Sequence, residues 1–417
     1  MEQFVIDQIK YGLKYLPRNL AKYPFLKKHS AETDERRRKE FICGVCHPTE
    51  NTEQIRNANI GWVRIDISCL PFDKDGNVTE DYLGFKKKAL YYSSRGIKVM
   101  AVTPYPREYF RNGIDVRTDE GEKILARDAR FFVEDLKGIV SGFQITNEMG
   151  MPHFTLPLNG VGEAARYIGV QLEAMFPYKG KTIIGYNSAG PQADLHAYMK
   201  PYYRYCDYIG IDMYLGCFDS FPGFFMMFDA MTDFLWAMTK KPVMIMEFGY
   251  ISDGKPVSKS GKRKILESYG VKSEKDAKKN IEAFVERLPD DMKTHIKYVC
   301  KNDPSRYYNL IFNSDLTNHL YKELPAITKI PGYDHSPEGQ ADFYEYILMH
   351  FYKKKYIIGT FVYCYADGRA CHICGQHDCP TETRWGLVDR QDNPKPSYYA
   401  VKKAFGVIKW LVNVEGK

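Results

Sequence analysis

The sequence predicts an α/β protein of the (β/α)8, or TIM-barrel, class. Eight short apolar runs, each followed by a stretch of helical spacing, alternate between residues 41 and 411. Strict strand–helix alternation implies a parallel sheet with helical crossovers, and eight units is the number at which such a sheet closes. The second observation is an absence. No Gly-x-Gly-x-x-Gly follows the first run, and no Gly-x-x-x-x-Gly-Lys-Ser/Thr occurs. Dinucleotide and P-loop readings of an open, doubly wound sheet therefore fall away.

The first unit joins the run 41–46 to a short helix at 51–58, opened by a cap-type Asn51 or Thr52. The second run, 61–68, contains Trp62-Val-Arg-Ile-Asp-Ile67. A turn at Asp73-Lys-Asp-Gly-Asn77 and a cap at Thr79 lead into a helix that stops at Gly96. The turn lacks the full spacing of a calcium loop. Strands at 98–103, 142–147, 182–187 and 208–214 alternate with helices at 126–137, 161–176, 192–204 and 224–239. The aromatic run 221–228 reads as core or wall. The seventh strand, 243–248, reaches its helix at 338–354 only after a long interruption, 252–335. That interruption is lysine-rich, with helical patterns at 274–288 and 291–300. Leaving the strand just after Glu247, it is expected over the carboxyl-end face as a lid or wall. The eighth strand, 357–364, precedes a Cys/His-rich loop at 367–396 and a closing helix at 397–411. Residues 1–40 are expected to form a helical extension, with Ile6, Ile9, Leu13 and Leu16 near helical spacing. The barrel is assigned to 41–412.

Composition narrows the function classes. The 417 residues are 44% hydrophobic with a net charge of +7, enough for a large core and too evenly charged for a nucleic-acid arm. Arg36-Arg37-Arg38 reads as a solvated helix face. No run approaches the roughly 18 apolar residues of a membrane span. With no signal-peptide pattern at the start, ten cysteines argue for a reducing, cytoplasmic setting rather than a disulfide framework. The expected partner is a carbohydrate, with no nucleic acid and no membrane. Homo-oligomerisation stays open.

Two strands end in a carboxylate. Phe143-Gln-Ile-Thr-Asn-Glu148 closes the fourth and Val243-Met-Ile-Met-Glu247 the seventh. A carboxylate at the end of a buried strand needs a partner or a cavity, because burying it alone costs several kcal/mol. Barrel enzymes collect functional groups at the carboxyl face, where Arg64, Asn147, Glu148, Tyr214 and Glu247 all fall. Two carboxyls across a barrel mouth suit glycoside hydrolysis.

Asn147-Glu148 on the fourth strand and Glu247 on the seventh resemble the clan of retaining (β/α)8 glycosidases. That clan includes cellulase-like, β-galactosidase-like and β-mannanase-like families. Val63-Arg64-Ile65 resembles its strand-two arginine and Asp212-Met-Tyr214 its strand-six tyrosine. Trp385-Gly-Leu-Val-Asp389 with Asn393-Pro-Lys-Pro-Ser-Tyr-Tyr-Ala-Val401 resembles its closing segment. The resemblance implies cleavage of a β-linked glycoside without a catalytic cofactor. It makes Glu148 the acid/base, Glu247 the nucleophile and Asn147 the partner of the sugar 2-hydroxyl. Arg64 and Tyr214 would support Glu247, and Trp385 would lie against substrate. Many members carry a tryptophan at the end of strand eight, where this chain has Tyr363. The residues alone do not say which glutamate takes which role.

A second constellation is Cys371-His-Ile-Cys374-Gly-Gln-His377-Asp-Cys379. Thiolate-rich spacing of this kind suits a closed, structural zinc site. Cys371, Cys374 and Cys379 are the expected ligands. His377 is the expected fourth, with His372, or Cys46 from the neighbouring first strand, as alternatives. Reduced thiols and a disulfide are the competing readings. At the level of function, a non-catalytic carbohydrate-binding barrel and a metal hydrolase built on the Cys/His loop are the alternatives.

Overall fold

A computed structural model describes residues 13–14, 39–217, 225–314, 316–324 and 328–415. The expected helical extension at 1–40 falls almost wholly outside these residues, as does the start of the aromatic run at 221–228. Eight parallel strands close in sequence order. They are β1 (Ile42–Cys46), β2 (Trp62–Asp66), β3 (Lys98–Val102), β4 (Gly142–Gln144), β5 (Ile183–Ala189), β6 (Tyr208–Met213), β7 (Val243–Phe248) and β8 (Ile357–Val362). The ring is sealed where β1 pairs with β8, Ile42 opposite Gly359 and Val45 opposite Val362.

Alternation along each strand sorts side chains into two layers. Val45, Val63, Val99, Ile209 and Ile245 face outward and pack under the helices. Ile42, Trp62, Met100, Tyr208, Met246 and Phe361 fill the barrel interior. Large inward residues need small partners. A Cβ at Gly44 would stand 2.4 Å from the Phe361 ring, so glycine there is a packing requirement.

Helices start where side chains satisfy their free amides. Thr79 accepts from Tyr82 N at the head of helix Glu80–Ser93. Thr118 accepts from Gly121 N at the head of Asp119–Asp135. The latter helix begins earlier than its apolar pattern implies, because its first turn is acidic and complements the helix dipole. The helix expected at 192–204 divides into an α-helix, Ala193–Met199, and a 3-10 turn, Lys200–Tyr205, as Pro201 cannot continue the α-ladder. No helix among the described residues is long and apolar enough to cross a membrane.

Between β7 and its helix, Pro337–Lys353, the chain makes a run of short helices, among them Lys259–Ser268, Asp290–Val299, Tyr307–Phe312 and Leu316–Tyr321. The pattern expected to be one helix at 274–288 breaks at Asn280, which caps the second piece by accepting from Ala283 N. This insertion has a core of its own. Leu266, Phe284, Met292, Ile296, Ile311 and Leu320 pack together, and Cys371, Cys374 and Cys379 of the loop after β8 join them.

Candidate active site

The carboxyl ends of the strands converge on Arg64, which is 3% exposed. Every nitrogen of its guanidinium is used. Nε donates to Gln144 Oε1 at 2.8 Å, Nη2 donates to Asn147 Oδ1 at 2.7 Å, and Nη1 donates to Glu247 and to Cys46 Sγ. Tyr214 donates its hydroxyl to the other oxygen of Glu247. The Glu247 carboxylate, 7% exposed, is thus gripped on both oxygens.

Strict alternation does not aim Glu247 inward. Met244 and Met246 already occupy the inner face of β7, so the next residue should turn outward. Register against both neighbours shows what intervenes. Ile211 and Asp212 on β6 face Ile245 and Glu247, and Thr360 and Val362 on β8 face Ile245 and Phe248. One extra residue on β7 makes a bulge, and a bulge re-aims the side chain that follows it. Asn147 and Glu148 are turned differently. After β4 the backbone enters the left-handed region at Thr146 (φ 56°) and again at Glu148 (φ 49°). That region is strained for a β-branched residue. Neighbours hold it: Thr146 N donates to Thr103 Oγ1 at 3.1 Å, Gln144 Nε2 donates to Thr146 O at 2.7 Å, and Glu148 N donates to Asn187 Oδ1 at 3.0 Å.

Asn147 Oδ1 accepts from Arg64, Gln144 and Asn187. Its oxygen is saturated, so what it can offer a ligand is its Nδ2 hydrogens. Asn187 Nδ2 also donates to Asp212 Oδ2 at 2.5 Å. Asp212, 2% exposed, is the third carboxyl of the cluster. Its Oδ1 is buried and accepts no hydrogen bond from the described residues, and the Asp212 and Glu148 carboxyls lie close enough to act on each other electrostatically. A buried carboxyl oxygen without a donor favours the neutral acid over the charged form.

The electrostatics agree. Three carboxyls surround one guanidinium. Burial, then the charge of Glu247, pushes the Glu148 carboxyl up to about 8. Burial first, then the charges of Glu247 and Glu148, holds Asp212 well above the usual carboxylate range. Burial and like charge thus favour the neutral forms of Glu148 and Asp212 beside the Arg64–Glu247 ion pair. A further acid, Glu382, lies on the loop after β8. It too is raised to about 8, by burial and then by nearby Cys374 and Glu247.

Sequence reading brought together Arg64, Asn147, Glu148, Tyr214 and Glu247, and the structure places all five in one network. Tyr363, half-buried, stands beside them with its ring centre 5.6 Å from that of Tyr214. Trp385 does not meet its expectation. It is fully buried, 5.2 Å from the Tyr214 ring and 5.8 Å from Tyr363, and its indole N–H donates to Thr381 O. It backs the two tyrosines and offers no face to a ligand. Gln144, Asn187 and Asp212 were missed. Each is a polar residue on the inward repeat of its strand, and that is the signal that could have found them.

The Cys/His group is elsewhere. His319, from helix Leu316–Tyr321 of the insertion, lies with Cys371, Cys374 and Cys379, their potential ligand atoms all within 4.8 Å of one another and all four residues buried. The expected fourth partner, His377, is exposed and bonds Arg369 O through Nδ1. His372 is exposed beside Glu382. Cys46 points into the barrel, where it donates to Met246 O. The three cysteines of the loop pack in the insertion's core, whereas Cys46 belongs to the barrel interior and is not among the four grouped residues.

A cavity of about 690 Å³ opens at the opposite, amino-terminal mouth of the barrel, lined in part by Glu40, Trp62, Lys98 and Lys137. Glu40 is paired there with Lys98. Among the described residues that line it there is no counterpart of the carboxyl pair.

No family model matches the chain, and no curated protein matches it. Solved structures do. The GH53 catalytic domain of Ignisphaera aggregans superposes with a TM-score of 0.54 at 14% identity, over 88% of this chain and 96% of that one. The Bacteroides uniformis β-glucuronidase gives 0.50 at 14% identity, over 88% of this chain and 35% of that one. A GH2 β-galacturonidase from Eisenbergiella tayi gives 0.48 at 13%, and the chain spans 51% of its length. At such identities the likeness is one of fold. The chain shares its (β/α)8 barrel with glycoside hydrolases.

Proposed function

We propose that the chain is a retaining glycosidase that cleaves a β-linked glycoside, with Glu247 as nucleophile and Glu148 as acid and base. The observation that carries this reading is the asymmetry of the two glutamates. Glu247 is gripped by Arg64 and Tyr214, as suits a carboxylate that must attack while ionised. Glu148 holds a proton up to about pH 8, as suits a general acid.

The same geometry explains how one group serves both halves of a double displacement. In the first half Glu148 protonates the departing oxygen while Glu247 attacks the anomeric carbon. Once Glu247 is esterified its charge is gone, and the like-charge repulsion that held the proton on Glu148 goes with it. Glu148 then becomes the easier base for the attacking water. Asn147 Nδ2 is the donor available to the sugar 2-hydroxyl. Tyr363 supplies an aromatic edge with a hydroxyl where the sugar ring would lie.

The test is a panel of aryl β-glycosides of different sugars, with the anomer of the first-formed product read by NMR. Release of the β-anomer from at least one substrate supports the proposal. Release of the α-anomer refutes retention, and no turnover across the panel refutes the glycosidase reading.

A further inference from the structure

We propose that Cys371, Cys374, Cys379 and His319 form a closed structural zinc site that fastens the insertion after β7 to the loop after β8. This site stands apart from the glycosidase reading and does not depend on it.

The four ligand atoms lie close enough together to share one tetrahedral ion. With metal–ligand lengths of about 2.0–2.3 Å, tetrahedral edges run roughly 3.3–3.8 Å. His319 Nδ1 lies 3.3 Å from Cys371 Sγ and 3.5 Å from Cys379 Sγ, and no ligand atom is farther than 4.8 Å from another. An iron–sulfur cube would hold its four ligands farther apart. A set of three sulfurs and one imidazole nitrogen suits zinc, and a set already complete at four leaves no open position for catalysis.

The surroundings are built for thiolates. Ile373 N and Cys374 N point at Cys371 Sγ from 3.3 and 3.4 Å. The turn that aims them closes with Gly375 N donating to Cys371 O, and Gly375 sits at φ 69°, where a side chain would be strained. Thr381 Oγ1 lies 2.8 Å from Cys379 Sγ. Donors of this kind orient and steady metal-bound sulfur. Binding would release three thiol protons to solvent and change no oxidation state.

The site also answers a structural need. His319 and Cys371 are 52 positions apart, and the insertion's helices are short. A metal clip is the ordinary way to hold two such loops together.

The experiment uses the full chain, purified under reducing conditions without added zinc. Metal analysis should find about one zinc per chain. Replacement by cobalt should give the intense visible bands of tetrahedral thiolate ligation. Cys374→Ser and His319→Ala should lose most of the metal. His319→Cys should keep it, and His377→Ala should leave it unchanged. Because Cys374→Ser could unfold the insertion, alkylation of the unmodified chain gives an independent reading: the three thiols should resist the reagent until a chelator is added. Any of four results overturns the proposal: free alkylation of all three thiols in native protein, a disulfide among them by mass spectrometry, iron or copper alone as the bound metal, or loss of metal from His377→Ala but not from His319→Ala.

Discussion

The barrel mouth and the Cys/His junction are both buried polar clusters, and they are fixed in opposite ways. At the mouth, Arg64, Gln144, Asn187, Asp212 and Glu247 come from five different strands. The sheet sets their positions before they touch, and hydrogen bonds among them only refine the result. The strands can therefore hold three carboxyls close together around one guanidinium. At the junction no ligand comes from a strand. Cys371, Cys374 and Cys379 lie on a loop, and His319 lies on a six-residue helix. Helices this short are marginal on their own, and the insertion's surface ion pairs, such as Arg263 with Glu267 and Lys279 with Asp276, are exposed and worth little. Sheet ends can place reactive groups that repel one another. Loops need groups that bind a common centre.

That contrast can be broken most sharply at the mouth. Glu247→Ala should reduce turnover by roughly 10⁴-fold or more on every substrate, the scale of losing a nucleophile. Chromatographic behaviour and metal content should stay as in the parent chain. Loss of zinc from this variant would show that the two regions are not separate.

Glu148→Ala should cost less, about 10²–10⁴-fold, and the loss should depend on the leaving group. An activated aryl glycoside needs little protonation, so the glycosyl–enzyme should form and accumulate. Azide should then restore turnover and yield a β-glycosyl azide, identified by NMR. If azide rescues Glu247→Ala instead, the two roles are exchanged.

Arg64→Met leaves Glu247 buried without its cation. It should destabilise the fold by about 3–5 kcal/mol, as removal of one partner of a buried pair does, measured by urea unfolding. A loss under 1 kcal/mol would mean that the mouth does not rely on this pair.

Asp212→Asn tests the proton count. If Asp212 is neutral at working pH, asparagine replaces it with little change in charge or volume. The rate should fall by less than about tenfold. Wild-type kcat/KM should decline as pH rises through about 8, when Glu148 loses its proton, and the variant should keep that limb. A limb displaced downward by a unit or more would show that Asp212 carries a negative charge.

The smallest effect belongs to the junction. Chelation in reducing buffer should raise amide exchange in helices Asp290–Val299 and Leu316–Tyr321 while the barrel strands keep their protection. Equal loosening of both would mean that the site braces the barrel itself.

The sequence by itself determined the barrel. Eight apolar runs and their helices are local patterns, readable from spacing, and eight parallel units have one way to close. It also pointed to Glu148 and Glu247, since each follows an apolar run that leads to the mouth. The three cysteines were found for the same reason: they lie close together in the chain. Tertiary structure decided the rest. The bulge in β7 exists only as a mismatch with β6 and β8, so nothing local in Met246-Glu247 announces that both side chains face inward. The upward shift of the Asp212 carboxyl comes from the burial and the charges that surround it. Trp385 sits in a motif that suggests contact with substrate, yet packing puts two tyrosines in front of it. His319 lies 52 positions from Cys371, on a helix that sequence spacing did not predict, and the nearer His377 was the natural choice by proximity along the chain. A folded chain brings ligands together by packing, and the distance that counts for a metal or a proton is measured through space.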